Sequence, residues 1–302
     1  MMTSRFTLNW VIENEQAGLL IKEFLKNEEI SRTALTDIKF KGGSIQVNKE
    51  EVNVRYKLRA GDVLTVIFPA ELPSVGVQGE DIPLTILFED EYLLVVCKPA
   101  GMNTIPSREH PSSSLAHALV GYYQHIGLEA TSHIVTRLDR DTSGIVLIAK
   151  HRHVHHLFSK MQQSGQVKRT YEAFAAGSLA EESGTIVEPI GRKEDSIIER
   201  EVRDDGQYAC THYRIIRGYR TFTHLELQLE TGRTHQIRVH MSYLGHPLLG
   251  DDLYGGDLTI MNRQALHCRK IKFKHPFLGE EMTFEAQMPQ DMCDILEADP
   301  LS

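Results

Sequence analysis

Residues 137–145, Arg-Leu-Asp-Arg-Asp-Thr-Ser-Gly-Ile, contain the residue types in this chain that point most clearly to chemistry. They place Asp139 between Arg137 and Arg140, directly before an apolar run at 145–149. A carboxylate flanked by two cations is expected to stay ionised, and guanidinium groups can hold phosphates or stack in place of a base. The segment therefore favours carboxylate chemistry on a nucleotide within a folded nucleic acid. A turn rich in Asp, Ser and Gly before a strand also occurs for geometric reasons alone.

A second segment, residues 229–241, favours the chemical interpretation. Its sequence is Leu-Glu-Thr-Gly-Arg-Thr-His-Gln-Ile-Arg-Val-His-Met. If the chain continues as a helix after the glycine turn, His235, Arg238 and Val239 share one face at spacings of three and four. An arginine projected from such a helix can pair with a carboxylate from elsewhere in the chain, and Asp139 is the candidate.

Four segments in the same order resemble the motifs of the RluA class of pseudouridine synthases, which isomerise uridine within RNA. They are residues 137–144, residues 168–173 (Lys-Arg-Thr-Tyr-Glu-Ala), residues 231–251 and residues 264–268 (Gln-Ala-Leu-His-Cys). The resemblance extends over residues 83–290. One position departs from the family pattern, since Thr136 stands where the family usually has a histidine before Arg-Leu-Asp. That histidine is not the family's chemical group, so the departure marks a subgroup and leaves the predicted activity unchanged.

The resemblance implies a role for each of several residues. It makes Asp139 the catalytic carboxylate, Tyr171 the aromatic residue that stacks on the target base, and Arg238 the ion-pair partner that orients Asp139. It further implies that Arg137 fills the space left by the flipped base and that Leu266 packs against the base, and we count Arg140 among the substrate-binding residues.

The implied reaction explains why these residue types are needed. Uridine becomes pseudouridine when the bond between ribose and ring nitrogen breaks and the uracil rejoins through carbon 5. The reaction needs no oxidation or energy input, so we expect no cofactor and no metal. An ionised Asp139 can attack the anomeric carbon, stabilise positive charge there or remove the neighbouring sugar proton, and the sequence leaves these roles open. The target base must also leave its stack to be reached.

Composition and charge are compatible with a soluble RNA-binding enzyme. The chain is 41% hydrophobic and 25% charged, with a net charge of −8. Residues 280–302 carry seven acids and no lysine or arginine, and the remainder is nearly balanced with 33 basic and 34 acidic residues. Residues 131–170 hold seven lysines or arginines, five histidines and only two acids, as expected for a surface that meets RNA.

Targeting and cysteine patterns favour a cytoplasmic protein with reduced thiols. The apolar runs are too short to span a bilayer, and the N-terminus has no signal-peptide core. The four cysteines, at 97, 210, 268 and 293, show no Cys-x-x-Cys spacing, which argues against a zinc ribbon or a disulfide framework. We therefore expect no membrane association, and the sequence implies no protein partner.

Residues 1–70 are predicted to form a small α/β domain. Apolar spacing predicts a helix over 17–26, Ser31 is placed to cap a second helix over 32–40, and strands are predicted at 44–48, 51–54 and 63–68. This order, with the Gly42-Gly43 turn, resembles the S-four-type RNA-binding domain. The resemblance implies that Arg32, Lys39 and Lys41 face RNA.

The rest of the chain is predicted to be an α+β domain with a mixed, mainly antiparallel sheet. Residues 71–82 form the predicted linker, residues 83–290 the catalytic domain and residues 291–302 an acidic, solvated tail that is helical over 292–297. Short strands dominate residues 83–290, and they are interrupted irregularly by helices predicted at 114–123 and 155–163.

Two other functions were weighed against the isomerase. Asp139 and Asp141 invite a metal-nuclease or glycosidase interpretation, but no third acid lies nearby and Arg140 opposes a cation. The histidines at 151, 153, 155 and 156 are predicted to be RNA-facing or on the surface, because matching carboxylates or cysteines for a metal are lacking. A non-catalytic RNA-binding protein is the second alternative. For the isomerase, large-subunit ribosomal RNA is the favoured substrate and transfer RNA the alternative.

Overall fold

A computed structural model describes residues 5–73 and 76–298 of the chain. Residues 5–70, here called the N-terminal module, contain two helices and one antiparallel four-stranded sheet in the order β1-β4-β2-β3. The elements are β1 (Thr7–Val11), α1 (Ile21–Asn27), α2 (Arg32–Phe40), β2 (Ser44–Val47), β3 (Glu50–Glu51) and β4 (Val63–Ile67). The predicted helix over 32–40 is confirmed, and the Ser31 hydroxyl accepts a hydrogen bond from the Ala34 amide as its N-cap.

The strand predicted at 51–54 is wrong, because pairing ends at Glu51. The Asn53 side chain accepts a hydrogen bond from the Arg55 amide at 2.8 Å, and its carbonyl accepts one from the Tyr56 amide. Asparagine offers the backbone such a local turn in place of a sheet ladder. The alternating apolar residues at 52 and 54 were therefore a misleading strand pattern.

Residues 83–298, here called the main body, are built on a ten-stranded sheet. Its strand order is β10-β13-β14-β9-β15-β8-β6-β5, with β16 on β15 and β7 on β8. The strands are β5 (Thr85–Glu89), β6 (Leu93–Lys98), β7 (His133–Ile134), β8 (Ser143–Ala149), β9 (Lys168–Ala176), β10 (Ser183–Val187), β13 (Cys210–Gly218), β14 (Phe222–Leu229), β15 (Leu266–Lys274) and β16 (Glu281–Glu285). A separate hairpin pairs β11 (Ile190–Arg192) with β12 (Arg200–Val202).

Four helices accompany this sheet, and the sheet itself is mixed. They are α3 (Leu115–Ile126), α4 (Arg152–Gln163), α5 (Gln236–Tyr243) and α6 (Gln290–Ala298). Strands β8 and β15 run parallel, whereas their other pairings in the sheet are antiparallel. This arrangement confirms the predicted α+β class with a mixed, mainly antiparallel sheet.

The parallel pair β8–β15 is the part of the sheet that matters for the site. All seven residues of β8 are buried, as expected for a central strand covered on both faces. Gly144 has φ +117°, and a Cβ there would come within 3.0 Å of the Cys268 backbone on β15. Only glycine allows this close approach, which places the start of β8 directly beside β15.

Two of the predicted surface histidines are buried, which corrects the sequence-based expectation. Helix α4 begins at Arg152, three residues before its predicted start, and His151 and His153 point toward the N-terminal module. The His151 ring stacks on Phe6 with centroids 4.1 Å apart, and the His153 ring lies 5.6 Å from that of Phe68. Burial lowers the pKa of both imidazoles to about 4, so they are neutral packing residues at physiological pH.

The acidic C-terminal segment is packed on the main body over the part that is described. Helix α6 confirms the predicted helix, but Met292 on it is fully buried among residues that include Phe174 and Phe222. Arg263 holds Asp291 with two hydrogen bonds of 2.7 and 2.8 Å. The expectation of a solvated extension is therefore wrong for residues 291–298, and residues 299–302 lie outside the described residues.

The predicted linker, residues 71–82, forms neither helix nor strand in its described part, residues 71–73 and 76–82. Glu71 nevertheless accepts a hydrogen bond from the Arg152 amide and pairs with His133. Among the described helices of both parts of the protein, none has the length and apolarity needed to cross a membrane.

Candidate active site

The loop between β7 and β8 presents Asp139 at the surface of a pocket. The Thr104 hydroxyl donates a 2.6 Å hydrogen bond to the Leu138 carbonyl and accepts one from the Leu138 amide. The Thr142 amide closes the turn on the Asp139 carbonyl, and the Gln264 side chain donates to the Thr142 hydroxyl. These bonds hold both ends of the loop, so the Asp139 carboxylate, 27% exposed, is presented in one position.

Thr136, the position that departs from the family pattern, has a structural role in the same loop. It is buried, and its hydroxyl accepts a hydrogen bond from the Leu147 amide at 2.9 Å. This contact attaches the entrance of the loop to the central strand β8.

Lys98, at the end of β6, is a buried cation for which the sequence predicted no role. Its ammonium donates hydrogen bonds to the carbonyls of Pro99, Met102 and Arg140, at 2.7–3.0 Å. Burial lowers the pKa of Lys98 to about 7, and the charges of Asp141 and Asp139 act in the opposite direction. The three hydrogen bonds tie the loop that follows β6 to the loop that carries Asp139. A lysine at the end of the apolar run at 93–97 was the available signal.

The second predicted segment forms a turn before it becomes a helix. His235 has φ +57° and α5 begins only at Gln236, so the expectation that His235 shares a helical face is wrong. The Gln236 side-chain oxygen accepts from the Thr231 hydroxyl and the Arg233 amide, and its nitrogen donates to the Cys210 carbonyl. The Gln236 side chain thus makes these hydrogen bonds in place of the backbone hydrogen bonds of a helix, and it holds the turn against β13.

Arg238 lies beside Asp139, although its shortest contacts are to another carboxylate. Its Nη1 is 3.5 Å from Oδ2 of Asp139, while Nε and Nη2 each donate a 2.7 Å hydrogen bond to the fully buried Asp251. Asp252, which is 67% exposed, is 3.7 Å away. Two parallel bonds fix the plane of a guanidinium, so Asp251 determines the direction in which Arg238 presents Nη1. Asp251 was part of the matched motif, but no role was predicted for it.

Val239 does not share the pocket with Arg238 as the helical spacing suggested. It is buried in a separate cluster with Ile190 and Ala209. His235 does reach the site from the turn, with Nε2 4.0 Å from Oδ2 of Asp139 and Nδ1 2.8 Å from the Tyr254 hydroxyl. Burial lowers the pKa of His235, which favours the neutral imidazole beside the carboxylate.

Tyr171 forms the opposite wall of the pocket from strand β9. It is buried, and its hydroxyl accepts a 3.1 Å hydrogen bond from Nη1 of Arg169, itself a buried cation. Burial raises the pKa of Tyr171, so the phenol is neutral at physiological pH. Arg169 lies within a motif that matches the family, but no role was predicted for it, because the direction of its side chain depends on the pairing of β9.

The pocket brings five of the predicted residues together. Its volume is about 70 Å³, and its walls include Arg137, Asp139, Tyr171, Arg238 and Leu266. The exposed Arg137 stands at the entrance, whereas Leu266 is buried at the start of β15. The arrangement offers one carboxylate, a cation beside it and an aromatic wall, which suits charge development on a planar base or its sugar.

The remaining predicted residues lie elsewhere. Arg140 is exposed outside the pocket, with Nη1 3.8 Å from the Asp141 carboxylate. Arg32, Lys39 and Lys41 are exposed at α2 of the N-terminal module. The one group of possible metal ligands found in residues 5–73 and 76–298 contains neither Asp139 nor Asp141.

Comparisons with known proteins point to one family. A family model described as RNA pseudouridylate synthase matches residues 92–243. An uncharacterized RNA pseudouridine synthase of Bacillus subtilis, YjbO, is 52% identical over 281 residues, which are 93% of this chain and 99% of that protein. The ribosomal large subunit pseudouridine synthase D of Vibrio parahaemolyticus is 36% identical over 315 residues, covering 98% and 96% of the two chains.

Solved structures show the same fold. Human RNA pseudouridylate synthase domain containing 4 matches with a TM-score of 0.58 at 22% identity, over 70% of this chain and 92% of that one. Human RNA pseudouridylate synthase domain containing 1 matches with a TM-score of 0.58 at 21% identity, over 74% and 98%.

Proposed function

Since this chain belongs to the RluA class of RNA pseudouridine synthases, we propose that it isomerises specific uridines of large-subunit ribosomal RNA, with Asp139 as the catalytic carboxylate. The observation that carries the assignment is the convergence of Asp139, Arg238 and Tyr171 on one pocket from three distant segments. The name of the relative from Vibrio parahaemolyticus supports ribosomal RNA. That substrate implies a cytoplasmic location.

The reaction conserves all atoms of the nucleotide. The bond between C1′ and N1 breaks, the uracil turns over, and C1′ joins C5. The proton on C5 leaves, and N1 gains a proton, so substrate and product are isomers. The site must therefore hold the base, stabilise charge at the sugar and allow these two proton transfers.

Asp139 supplies the reacting carboxylate. It can form a bond to C1′ or remove the proton from C2′, and both routes begin with a charged oxygen. Arg238, with Nη1 3.5 Å from that carboxylate, balances its charge as water leaves the pocket. A primary isotope effect with uridine deuterated at C2′ identifies proton removal, and a trapped covalent bond between Asp139 and C1′ identifies attack on C1′.

Tyr171 and Leu266 hold the displaced base, and Arg137 fills the space that it leaves. Unstacking a base costs a few kcal/mol, and stacking on an aromatic ring returns about 1–3 kcal/mol. Tyr171 and Leu266 line the pocket that receives the uracil, and Arg137 at its entrance can stack in the space left in the RNA.

The N-terminal module provides the second RNA contact. Arg32 and Lys39 lie seven residues apart on one exposed side of α2, and Lys41 is exposed just after the helix. The Lys39 ammonium lies 4.8 Å from the ring centre of the exposed Phe40. Lys41 pairs with Asp37 at 2.9 Å yet remains 68% exposed. Cations beside an exposed aromatic ring match the phosphates and bases of a structured RNA.

The test is to map pseudouridine by carbodiimide adduct sequencing in RNA from cells that lack this gene. The cells are complemented with wild type, Asp139→Asn or the matched control Asp141→Asn, whose side chain lies outside the pocket. We expect large-subunit sites that disappear in the deletion and return with wild type and Asp141→Asn only.

Other outcomes identify the alternatives. Sites lost from transfer RNA would replace the proposed substrate. Release of free uracil from labelled RNA would indicate a glycosidase. If no site changes, or if Asp139→Asn restores all sites, the catalytic proposal is wrong and a non-catalytic RNA-binding role takes its place.

A further inference from the structure

Four polar side chains outside the pocket lie on one face of three neighbouring strands. Cys210 and His212 are two residues apart on β13 and therefore point to the same side of the sheet. Glu230 follows β14 and stands opposite Cys210, with its amide donating to the Cys210 carbonyl at 3.2 Å. Thr185 on β10 pairs directly with His212. None of these residues takes part in the proposed reaction.

The three possible ligand atoms are close together. The Cys210 Sγ is 3.8 Å from Nε2 of His212, which is 2.8 Å from Oε1 of Glu230, and all three atoms lie within 4.8 Å of one another. Tetrahedral zinc with Zn–S of about 2.3 Å and Zn–N of about 2.0–2.1 Å places sulfur and nitrogen roughly 3.6 Å apart. The sulfur and nitrogen are thus nearly at metal-binding distance, and the flexible glutamate needs only a small rotation.

The surroundings orient the imidazole for such a role. A carboxylate only accepts, so Nε2 of His212 donates to Glu230 at 2.8 Å, and an ion bound at Nε2 replaces that proton. The Thr185 hydroxyl, 2.8 Å from Nδ1, holds the ring in place and can accept the proton of Nδ1 once Nε2 binds the ion. Within residues 5–73 and 76–298, Glu230 forms its salt bridge with His212 and with no lysine or arginine. Its charge is therefore available to a cation.

We propose that Cys210, His212 and Glu230 bind a zinc-class divalent ion, with the fourth position open to water. A thiolate, an imidazole and a carboxylate form a borderline-soft ligand set that suits Zn²⁺ over Mg²⁺ or Ca²⁺. Cys210 is only 2% exposed, which shields the sulfur, while His212 is 42% exposed and gives the ion access. The sequence did not reveal the site, because its ligands come from two strands.

The site adjoins the segment that leads to α5. The Cys210 amide donates to the Thr231 hydroxyl at 3.0 Å, and its carbonyl accepts from Gln236 at 2.9 Å. Glu230 is the residue before Thr231 in the chain. An ion bound here would join β13 to this segment, so it stabilises the fold next to the pocket without touching the substrate.

The experiment uses the full-length protein, freed of metal by a chelator and titrated with Co²⁺, which reports thiolate ligation by a near-ultraviolet charge-transfer band. We expect one ion per chain, displacement by Zn²⁺, and a rise in Tm with Zn²⁺. Cys210→Ser removes the band. Thr185→Val weakens affinity about tenfold or more, as loss of an outer-shell partner does. The matched control is Cys293→Ser, which leaves the band unchanged because that sulfur contacts the Met288 carbonyl and no histidine.

His212→Asn and Glu230→Gln keep the test decisive if Cys210→Ser does not fold. Both side chains are largely exposed, so these variants are expected to fold normally and to bind at least tenfold more weakly. The proposal is overturned if the wild type shows no charge-transfer band. It is equally overturned if His212→Asn binds like wild type, or if Cys293→Ser removes the band.

Discussion

Replacing Asp251 with asparagine tests whether this buried carboxylate positions Arg238. Asp251 accepts two 2.7 Å hydrogen bonds from the guanidinium, and both side chains are almost entirely buried. Asparagine keeps the shape but presents an NH₂ group to one guanidinium nitrogen, so at least one charged hydrogen bond is lost. Such a bond contributes about 1.5–3 kcal/mol. If the transition state depends on this orientation, the rate falls roughly ten- to a hundredfold.

The same change is expected to lower stability. Breaking a buried ion pair costs about 3–5 kcal/mol, and the nearby Asp139 and Asp252 compensate part of this because they lie 3.5 and 3.7 Å from Arg238. We therefore expect a loss of about 3 kcal/mol in the free energy of unfolding, measured by urea titration. The protein remains folded for kinetic work if its initial stability is typical.

The assay is single-turnover release of tritium from RNA that carries 5-tritiated uridine, because C5 loses its hydrogen in the reaction. The matched control is Asp252→Asn, an exposed carboxylate whose pairing contributes about 0–1 kcal/mol, so its rate falls less than about fivefold. A folded Asp251→Asn protein with a rate within twofold of wild type would refute the argument. Equal losses in the two variants would also refute it.

Three further results are expected. The free energy of unfolding falls as pH drops from about 6.5 toward 4, because His151 and His153 take up protons in the unfolded chain but not when they are buried. For each histidine, this free energy changes by up to about 1.4 kcal/mol per pH unit. Urea unfolding at pH 7 and 5 measures this loss, and His153→Phe lowers the slope by up to about 1.4 kcal/mol per pH unit. Equal changes in wild type and His153→Phe would contradict the burial argument. Gly144→Ala lowers the free energy of unfolding by roughly 2–5 kcal/mol, because the added Cβ overlaps the Cys268 backbone and strains the chain. The control Gly165→Ala, at a positive φ in open space, costs about 1 kcal/mol. Similar losses in the two variants would show that the contact with Cys268 is unimportant. Tyr171→Leu loses about 1–3 kcal/mol of stacking, which lowers kcat/KM about five- to a hundredfold. Tyr171→Phe keeps the aromatic ring and therefore most of kcat/KM, and a large loss in this variant would show that the hydroxyl moves a proton.

Local elements were predicted well where the signal is local. The helix over 32–40 follows from its serine cap and apolar spacing, and the continuous apolar run at 145–149 lies in the buried strand β8. The strand at 51–54 failed because the Asn53 side chain competes for the backbone, which an alternating pattern does not reveal. The start of α5 failed for a similar reason, since the Gln236 side chain replaces helical hydrogen bonds.

The types of reactive residue, their order and most of the elements that carry them can be read from the amino-acid sequence. Turn chemistry and apolar periodicity act over a few residues, so these features are local. Which charged side chains contact each other depends on the tertiary structure. It paired Arg238 with Asp251 more closely than with Asp139, placed Lys98 under the loop that carries Asp139, and buried His153 between module and body. These contacts join residues far apart in the chain, so they depend on the order and register of the paired strands, and no local pattern encodes them.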